Sequence, residues 1–341
     1  MKYVNRLRYK NGIPTLASSS GVVNNGYYNG TMFYETTNDE PTPDPPTPEH
    51  DYSQDYFTIE SLEDGNRIFF GIPNMYFDNR TRLVSLDYSY DNVTWSSVNL
   101  PAGNTSIGST TTYIDLDKNE KILVRGNAKT YNISDSGTSG QEIGVRIGAS
   151  KNYKIYGNIN SLFNNSNTLP QSDYFSGMGY YSHLSYLFNG STKLVDAYNL
   201  IIPFTNLNAK VWNQGIQEMN SYPGSCSNMF RGCTNLVYGP KELPNVGPYV
   251  YKNMFYNCYK LDKSPILSAT HIPANCYDHL FWNCSSLKEI TCLATSSDSN
   301  GTLHWVGNVS ATGTFIKNAS ASWSTGTSGA PSGWTIQNYS S

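Results

Sequence analysis

The spacing of apolar residues changes along this chain, and each change marks a different kind of element. From residue 52 to about 163 the pattern has period two. Phe57 and Ile59, then Ile68 and Phe70, alternate with polar residues on either side of the turn Glu63-Asp64-Gly65-Asn66. Leu83–Tyr90 and Val93–Val98 flank Asp91-Asn92, a hairpin candidate. Tyr113–Leu116 and Lys121–Arg125 flank Lys118-Asn119, and Ile143–Ile147 and Tyr153–Tyr156 flank Ser150-Lys151-Asn152. Short alternating runs broken by turn residues predict an antiparallel β-sandwich over 52–163.

Beyond that segment the pattern becomes a repeat. Asn228-Met229-Phe230-Arg231-Gly232-Cys233-Thr234-Asn235-Leu236 is followed by Asn253-Met254-Phe255-Tyr256-Asn257-Cys258-Tyr259-Lys260-Leu261. A third copy reads His279-Leu280-Phe281-Trp282-Asn283-Cys284-Ser285-Ser286-Leu287. The Phe-to-Phe steps of 25 and 26 residues are a solenoid period. A looser copy, Tyr186-Leu187-Phe188-Asn189-Gly190-Ser191-Thr192-Lys193-Leu194, lies 42 residues before Phe230, which predicts one repeat stretched by an insertion around Thr205–Asn220. Each unit, over 164–295, is expected to pair a short helical segment around the Phe with a Leu-bearing strand. Examples of those strands are Leu236–Pro240, Leu261–Leu267 and Leu287–Leu293. Pro240, Pro244, Pro265 and Pro273 are expected between units, where they stop strands. The tail, 296–341, is rich in Gly, Ser and Thr with Trp323 and Trp334, and is expected to cap the last apolar face.

The start has neither period. Residues 1–40 carry Asn11-Gly12, Asn25-Gly26 and Asn29-Gly30 between small apolar patches, and read as an extended arm that orders against a partner. Residues 41–51 follow as a linker, with five prolines between Glu40 and Glu49. Prolines at this density hold a chain near polyproline II, a semi-rigid spacer.

Composition narrows the class. Charged residues are 14% of the 341, with 27 Tyr, which suits β-rich extracellular or virion proteins better than a cytosolic helical enzyme. The net charge of −3 gives no global field for nucleic acid. No apolar run is long enough to span a bilayer. The exception is local: Lys2, Arg6, Arg8 and Lys10 put four cations and no acid in the first ten residues, an arm fitted to an acidic partner surface. Asn5, Arg6 and Arg8 also interrupt any secretory-type apolar run, so the expectation is a protein released by cell lysis.

All six cysteines fall between Cys226 and Cys292, and Cys233, Cys258 and Cys284 share one repeat position. Cysteines in register with a solenoid are expected as a reduced, buried column, and their spacings fit no zinc site.

At the repeats the chain resembles the BspA-like leucine-rich repeats of Bacteroidales surface proteins and of the phages infecting those bacteria. The resemblance extends to Ala311–Lys317 and Pro331–Gln337 in the tail, and to Leu86–Trp95 and Gly157–Leu162 in the alternating segment. It covers roughly 52–341 and leaves the first 50 residues unmatched. It implies adhesion or display, with no catalytic residues, no cofactor and no metal. The fold class expected is mainly β: an arm, a β-sandwich, then a short leucine-rich-repeat solenoid with a C-terminal cap. The expected protein is a tailed-phage head fibre, capsid decoration or tail adhesin. It would be anchored to other virion proteins through residues 1–50, trimeric by analogy with how fibres are built, and directed at a host glycan or protein. A bacterial surface adhesin is the alternative, and a carbohydrate-active enzyme a third.

Searching for chemistry yields little. His50, His183, His271, His279 and His304 form no metal-ligand spacing. Asp115-x-Asp117-x-Asn119 resembles half a calcium loop, but Glu120 replaces the required Gly, and a turn is the simpler reading. Tyr249, Tyr251, Tyr256, Tyr259 and Trp334 are the candidate contact residues, because aromatic faces suit glycan or protein surfaces.

Overall fold

The computed structural model describes the backbone of four N-terminal strands and then residues 50–71, 84–100, 112–126, 145–164, 184, 186–202, 226–244 and 247–340. Two compact units result, Met1–Asp51 and Tyr52–Ser341. Among the described residues the protein is mainly β, with one helical turn, α1 (Ser161–Asn164), and a 3-10 turn at Tyr52–Gln54.

In the first unit β1 (Leu7–Lys10), β2 (Ile13–Ser18), β3 (Gly21–Tyr28) and β4 (Thr31–Glu35) form an antiparallel meander. The expected single extended arm is therefore corrected to a four-stranded sheet. Asn11-Gly12 and Asn29-Gly30 lie outside the described residues. Asn25-Gly26 instead lies inside β3, opposite Tyr34 and Phe33. Arg8 and Lys10 sit in β1 opposite Thr15 and Ile13. Lys2, Arg6 and most of the proline-rich linker lie outside the described residues.

The second unit begins with β5 (Phe57–Ser61), β6 (Asn66–Gly71), β7 (Val84–Ser89), β8 (Ser96–Leu100), β9 (Tyr113–Leu116), β10 (Lys121–Gly126), β11 (Arg146–Ala149) and β12 (Tyr153–Asn158). β12-β5-β10-β7-β8 make one antiparallel sheet and β11-β6-β9 another. Period-two patterning does the burial: Phe57, Ile59, Ile122, Val124 and Ile155 from the first sheet share a core with Ile68, Phe70, Ile114, Leu116 and Ile147 from the second.

The predicted strands are present, but three of the four neighbouring pairs are not hairpins. Only β7 and β8 pair with each other. The chain changes sheet at β5–β6, β9–β10 and β11–β12. Buried side chains lock these corners together. Asn66 donates to Ser61 Oγ (3.1 Å), Lys151 O (3.2 Å) and Asn152 O (3.2 Å), and accepts from the Lys151 N–H (2.8 Å). Asp117 accepts from the Gly65 N–H (2.9 Å), and Asp115 pairs with Arg67 (3.3 Å). The calcium-like carboxylates thus serve a corner and a surface ion pair.

The body and the C-terminal repeats belong to one compact unit and share a core. β13 (Leu194–Asp196) and β14 (Leu200–Ile201) pair in parallel with β12. Phe57 meets Phe188 at 6.1 Å, and the Tyr153 hydroxyl bonds Ser191 Oγ at 2.6 Å. The repeats form a β-solenoid of about four turns. β15 (Glu242–Leu243), β16 (Lys263–Leu267), β18 (Glu289–Cys292), β20 (Thr314–Lys317) and β21 (Thr335–Asn338) make its parallel sheet. β17 (His271–Ile272) pairs with β19 (Ser296–Ser297) beside it. Pro265 lies inside β16, not between units. It sits at a register shift between Lys263 and Ile266, where the Thr291 N–H is taken by Ser264 Oγ (3.0 Å).

The expected helical segment is replaced by linked turns. Left-handed φ recurs every fourth residue: Tyr249, Asn253 and Asn257; Asn275, His279 and Asn283; Asn300, His304 and Asn308. One left-handed residue per four forbids an α-helix, and Asn bears that conformation better than most residues. The hydrogen bonds alternate accordingly. The N–H groups of Met254, Tyr256 and Cys258 bond three residues back, to Tyr251, Asn253 and Phe255. Those of Asn253, Phe255 and Asn257 reach the next coil, to Asp278, Leu280 and Trp282, at 2.9–3.0 Å. Backbone polarity is satisfied without helix or sheet.

Inside the coils the rings of Phe188, Phe230, Phe255 and Phe281 stack with centroids 5.3, 5.3 and 5.6 Å apart. Phe188 and Phe230 stack directly, and the insertion expected around Thr205–Asn220 lies outside the described residues. Cys233, Cys258 and Cys284 donate to the carbonyls of Phe188, Phe230 and Phe255, one coil back, at 3.0–3.1 Å. All six cysteines are buried and unbridged. The solenoid also runs past 295, through a coil containing Asn300–Asn308 and β20. Trp305 closes it, stacked on Tyr277 at 6.0 Å and covered by Trp323 at 5.6 Å.

Candidate functional site

The turn segments put four columns of side chains on one face of the solenoid. Because the left-handed positions align coil by coil, Asn228, Asn253, His279 and His304 occupy one column. Arg231, Tyr256, Trp282 and Gly307 occupy the column three residues later. Asn257, Asn283 and Asn308 follow; Asn283 Nδ2 donates to Asn257 Oδ1 and Asn308 Nδ2 to Asn283 Oδ1, at 2.8 Å each. Lys252 and Asp278 sit one residue before the first column and are paired at 2.8 Å.

These columns bring rings together at the C-terminal end of the face. The Arg231 guanidinium lies over the Tyr256 ring, 4.8 Å from its centroid. Tyr256 is 6.3 Å from His279, which is 5.0 Å from Trp282 and 5.3 Å from His304; Trp282 and His304 are 5.8 Å apart. His279 Nδ1 bonds the nearly buried Asp278 carboxylate, which fixes the ring through the same group that holds Lys252. Tyr256, His279 and Trp282 are half-buried, and His304 is exposed. Gly307 is part of this arrangement. A Cβ there would stand 2.2 Å from the indole of Trp282, so glycine leaves room for the ring to lie over the backbone.

Of the contact residues expected from sequence, Tyr256 lies in this cluster. Tyr259 is 43% exposed but lies outside it. Tyr249 is half-buried with left-handed φ, and its N–H bonds Ala274 O at 3.2 Å. Two need correction. Tyr251 is fully buried, stacked on Tyr277, with its hydroxyl donating to Pro244 O at 3.0 Å; desolvation pushes its pKa well up. Trp334 is only 7% exposed, and its indole N–H donates to Ser310 O at 2.7 Å, so it seals the end of the solenoid. His279, Trp282 and His304 were missed as a group. Aligning the copies on their four-residue Asn/His spacing would have placed them on adjacent coils.

A second cluster has the connectivity of a nucleophile relay. His271 Nδ1 meets Ser296 Oγ at 2.9 Å, His271 Nε2 meets Asp298 at 3.1 Å, and Asp298 accepts from the Ala274 N–H at 3.1 Å. The His271 and Asp298 side chains are 48% and 50% exposed, in open water. A relay of this kind depends on a dry, preorganised setting. Here the three side chains clip β17 to β19.

Burial raises the pKa of every cysteine, to about 12 for Cys276 and Cys292, so none is poised as a thiolate. Among the described residues no cluster of three His, Cys, Asp or Glu has metal-binding geometry, and no helix is long and apolar enough to cross a membrane. No protein-family model, curated protein or solved structure matches the chain.

Proposed function

We propose that this chain is a non-enzymatic structural and adhesive component of a tailed-bacteriophage virion, a head fibre, capsid decoration or tail adhesin. In this reading residues 1–50 attach to other virion proteins, the two-sheet body is a β-sandwich, and the solenoid is a BspA-like leucine-rich-repeat module. The assembly is a homotrimer, as fibres are commonly built, and it directs the solenoid at a host-surface glycan or protein.

The observation that carries the reading is the division of labour within each coil. Phe, Cys, Met and Leu are consumed in packing, while one face gathers aromatic, imidazole, amide and guanidinium groups suited to contact. The basic N-terminus and the proline-rich segment support attachment through a separate unit. Incubating the full chain with intact cells of the phage's host tests the adhesive role. Saturable binding to host cells, and not to a resistant strain, is expected. Binding to neither would overturn the reading.

A further inference from the structure

The geometry points to a polysaccharide site on the turn face. We propose that Arg231, Tyr256, His279, Trp282 and His304 bind an extended, acidic polysaccharide whose axis follows the solenoid axis. The proposal rests on the adhesive reading above and names its ligand class and its residues.

Three observations select this occupant. First, the face offers flat rings at more than one level: Tyr256 and Trp282 belong to successive coils, and His279 and His304 to successive coils as well. Successive coils are about 4.8 Å apart along the parallel sheet and 5.3–5.6 Å apart at the Phe ladder, on the order of the length of one pyranose in an extended chain. A sugar chain laid along the axis therefore meets a ring level per residue, and sugar C–H faces pack on aromatic rings. Second, the balance of charge on the face is positive. Arg231 and Lys252 are cationic against one carboxylate, Asp278, which is already bonded to Lys252 and His279. A face of this kind favours hydroxyl and carboxylate oxygens. Third, the residues of these columns include no exposed aliphatic side chain, so the cluster presents rings and polar groups throughout, which suits the C–H faces and hydroxyls of a sugar chain. The seating of Trp282 over Gly307 and of His279 on Asp278 holds the rings in place before binding, which lowers the entropic cost of association.

The test uses the full chain and the polysaccharide extracted from the host cell surface, with dextran as a neutral control and tryptophan fluorescence as the readout. Wild type should bind the acidic extract and not dextran. Trp282→Ala and, independently, Gly307→Ala should each weaken binding about tenfold or more, equal to the worth of one good aromatic contact. Tyr259→Ala should leave it unchanged. Gly307 has no left-handed φ, so alanine there moves the indole while leaving the backbone conformation permitted. Wild-type affinity in both variants would overturn the site while leaving adhesion standing. Cell binding that persists after periodate destroys surface sugars would overturn the ligand class. Equal binding of dextran would overturn the acidic preference. Failure to bind host cells at all would instead sink the adhesive reading itself.

Discussion

Replacing Phe255 by alanine should be among the most damaging single changes to the solenoid. Its ring is fully buried between Phe230, at 5.3 Å and 9°, and Phe281, at 5.6 Å and 19°. The coils above and below cannot close on the gap. The Phe255 N–H is tied to Leu280 O at 3.0 Å, the Phe230 N–H to Met254 O at 2.9 Å, and Cys284 Sγ to Phe255 O at 3.1 Å. Removing a large ring from a site that cannot collapse costs about 3–5 kcal/mol. Against a typical total of about 5–15 kcal/mol, that is a large share. For a unit of this size the melting temperature should drop by on the order of 10 °C. Phe255→Leu keeps most of the volume and should cost under about 2 kcal/mol. Urea denaturation of the full chain, followed by fluorescence of buried Trp305, measures all three proteins. Tyr259→Ala, at an exposed position, should stay within about 0.5 kcal/mol of wild type. A Phe255→Ala cost under about 1 kcal/mol would mean that the ladder is not the core of the solenoid.

Further predictions concern the turns, the thiols and the corners. At Asn253, φ of 56° should make glycine nearly neutral, while valine should cost about 1–2 kcal/mol in the same denaturation assay. The six cysteines should ignore a thiol reagent in the native protein and all react in guanidinium. Their folded pKa values lie above the unfolded value of about 8.5, so their contribution is fully present below that pH. It is then lost as pH rises from about 8.5 towards 12, by up to about 1.4 kcal/mol per pH unit for each thiol. Denaturation midpoints that stayed flat from pH 8 to 10 would contradict that burial. Asn66→Ala should cost about 2–3 kcal/mol, because it leaves buried partners at the sheet corners unsatisfied. A loss below about 0.5 kcal/mol would show that the corners do not depend on it.

Much of the packing was legible in the sequence. The Phe, Cys and Leu register gave the ladder, in which Phe188 stacks directly on Phe230. Met229, Phe230, Cys233 and Leu236 recur at helical spacing, yet the backbone there runs as linked turns. The opposing signal was Asn or His at every fourth position, which marks left-handed turns. In the two-sheet body, turn dipeptides located the strand ends but could not say which sheet the next strand joins. That choice is made by distant partners such as Asn66 with Lys151. Exposure was the least legible property. Tyr251 and Tyr256 lie five residues apart in one repeat, yet one points into the stack and the other onto the face. A tyrosine's identity does not fix which way it turns.

The central claim, an outward-facing virion protein, is tested most directly by immunogold electron microscopy of purified phage particles, with antibody raised against the solenoid. Gold on the outside of intact particles is predicted. Gold confined to cell envelopes, with bare particles, would contradict the account and favour a bacterial surface adhesin.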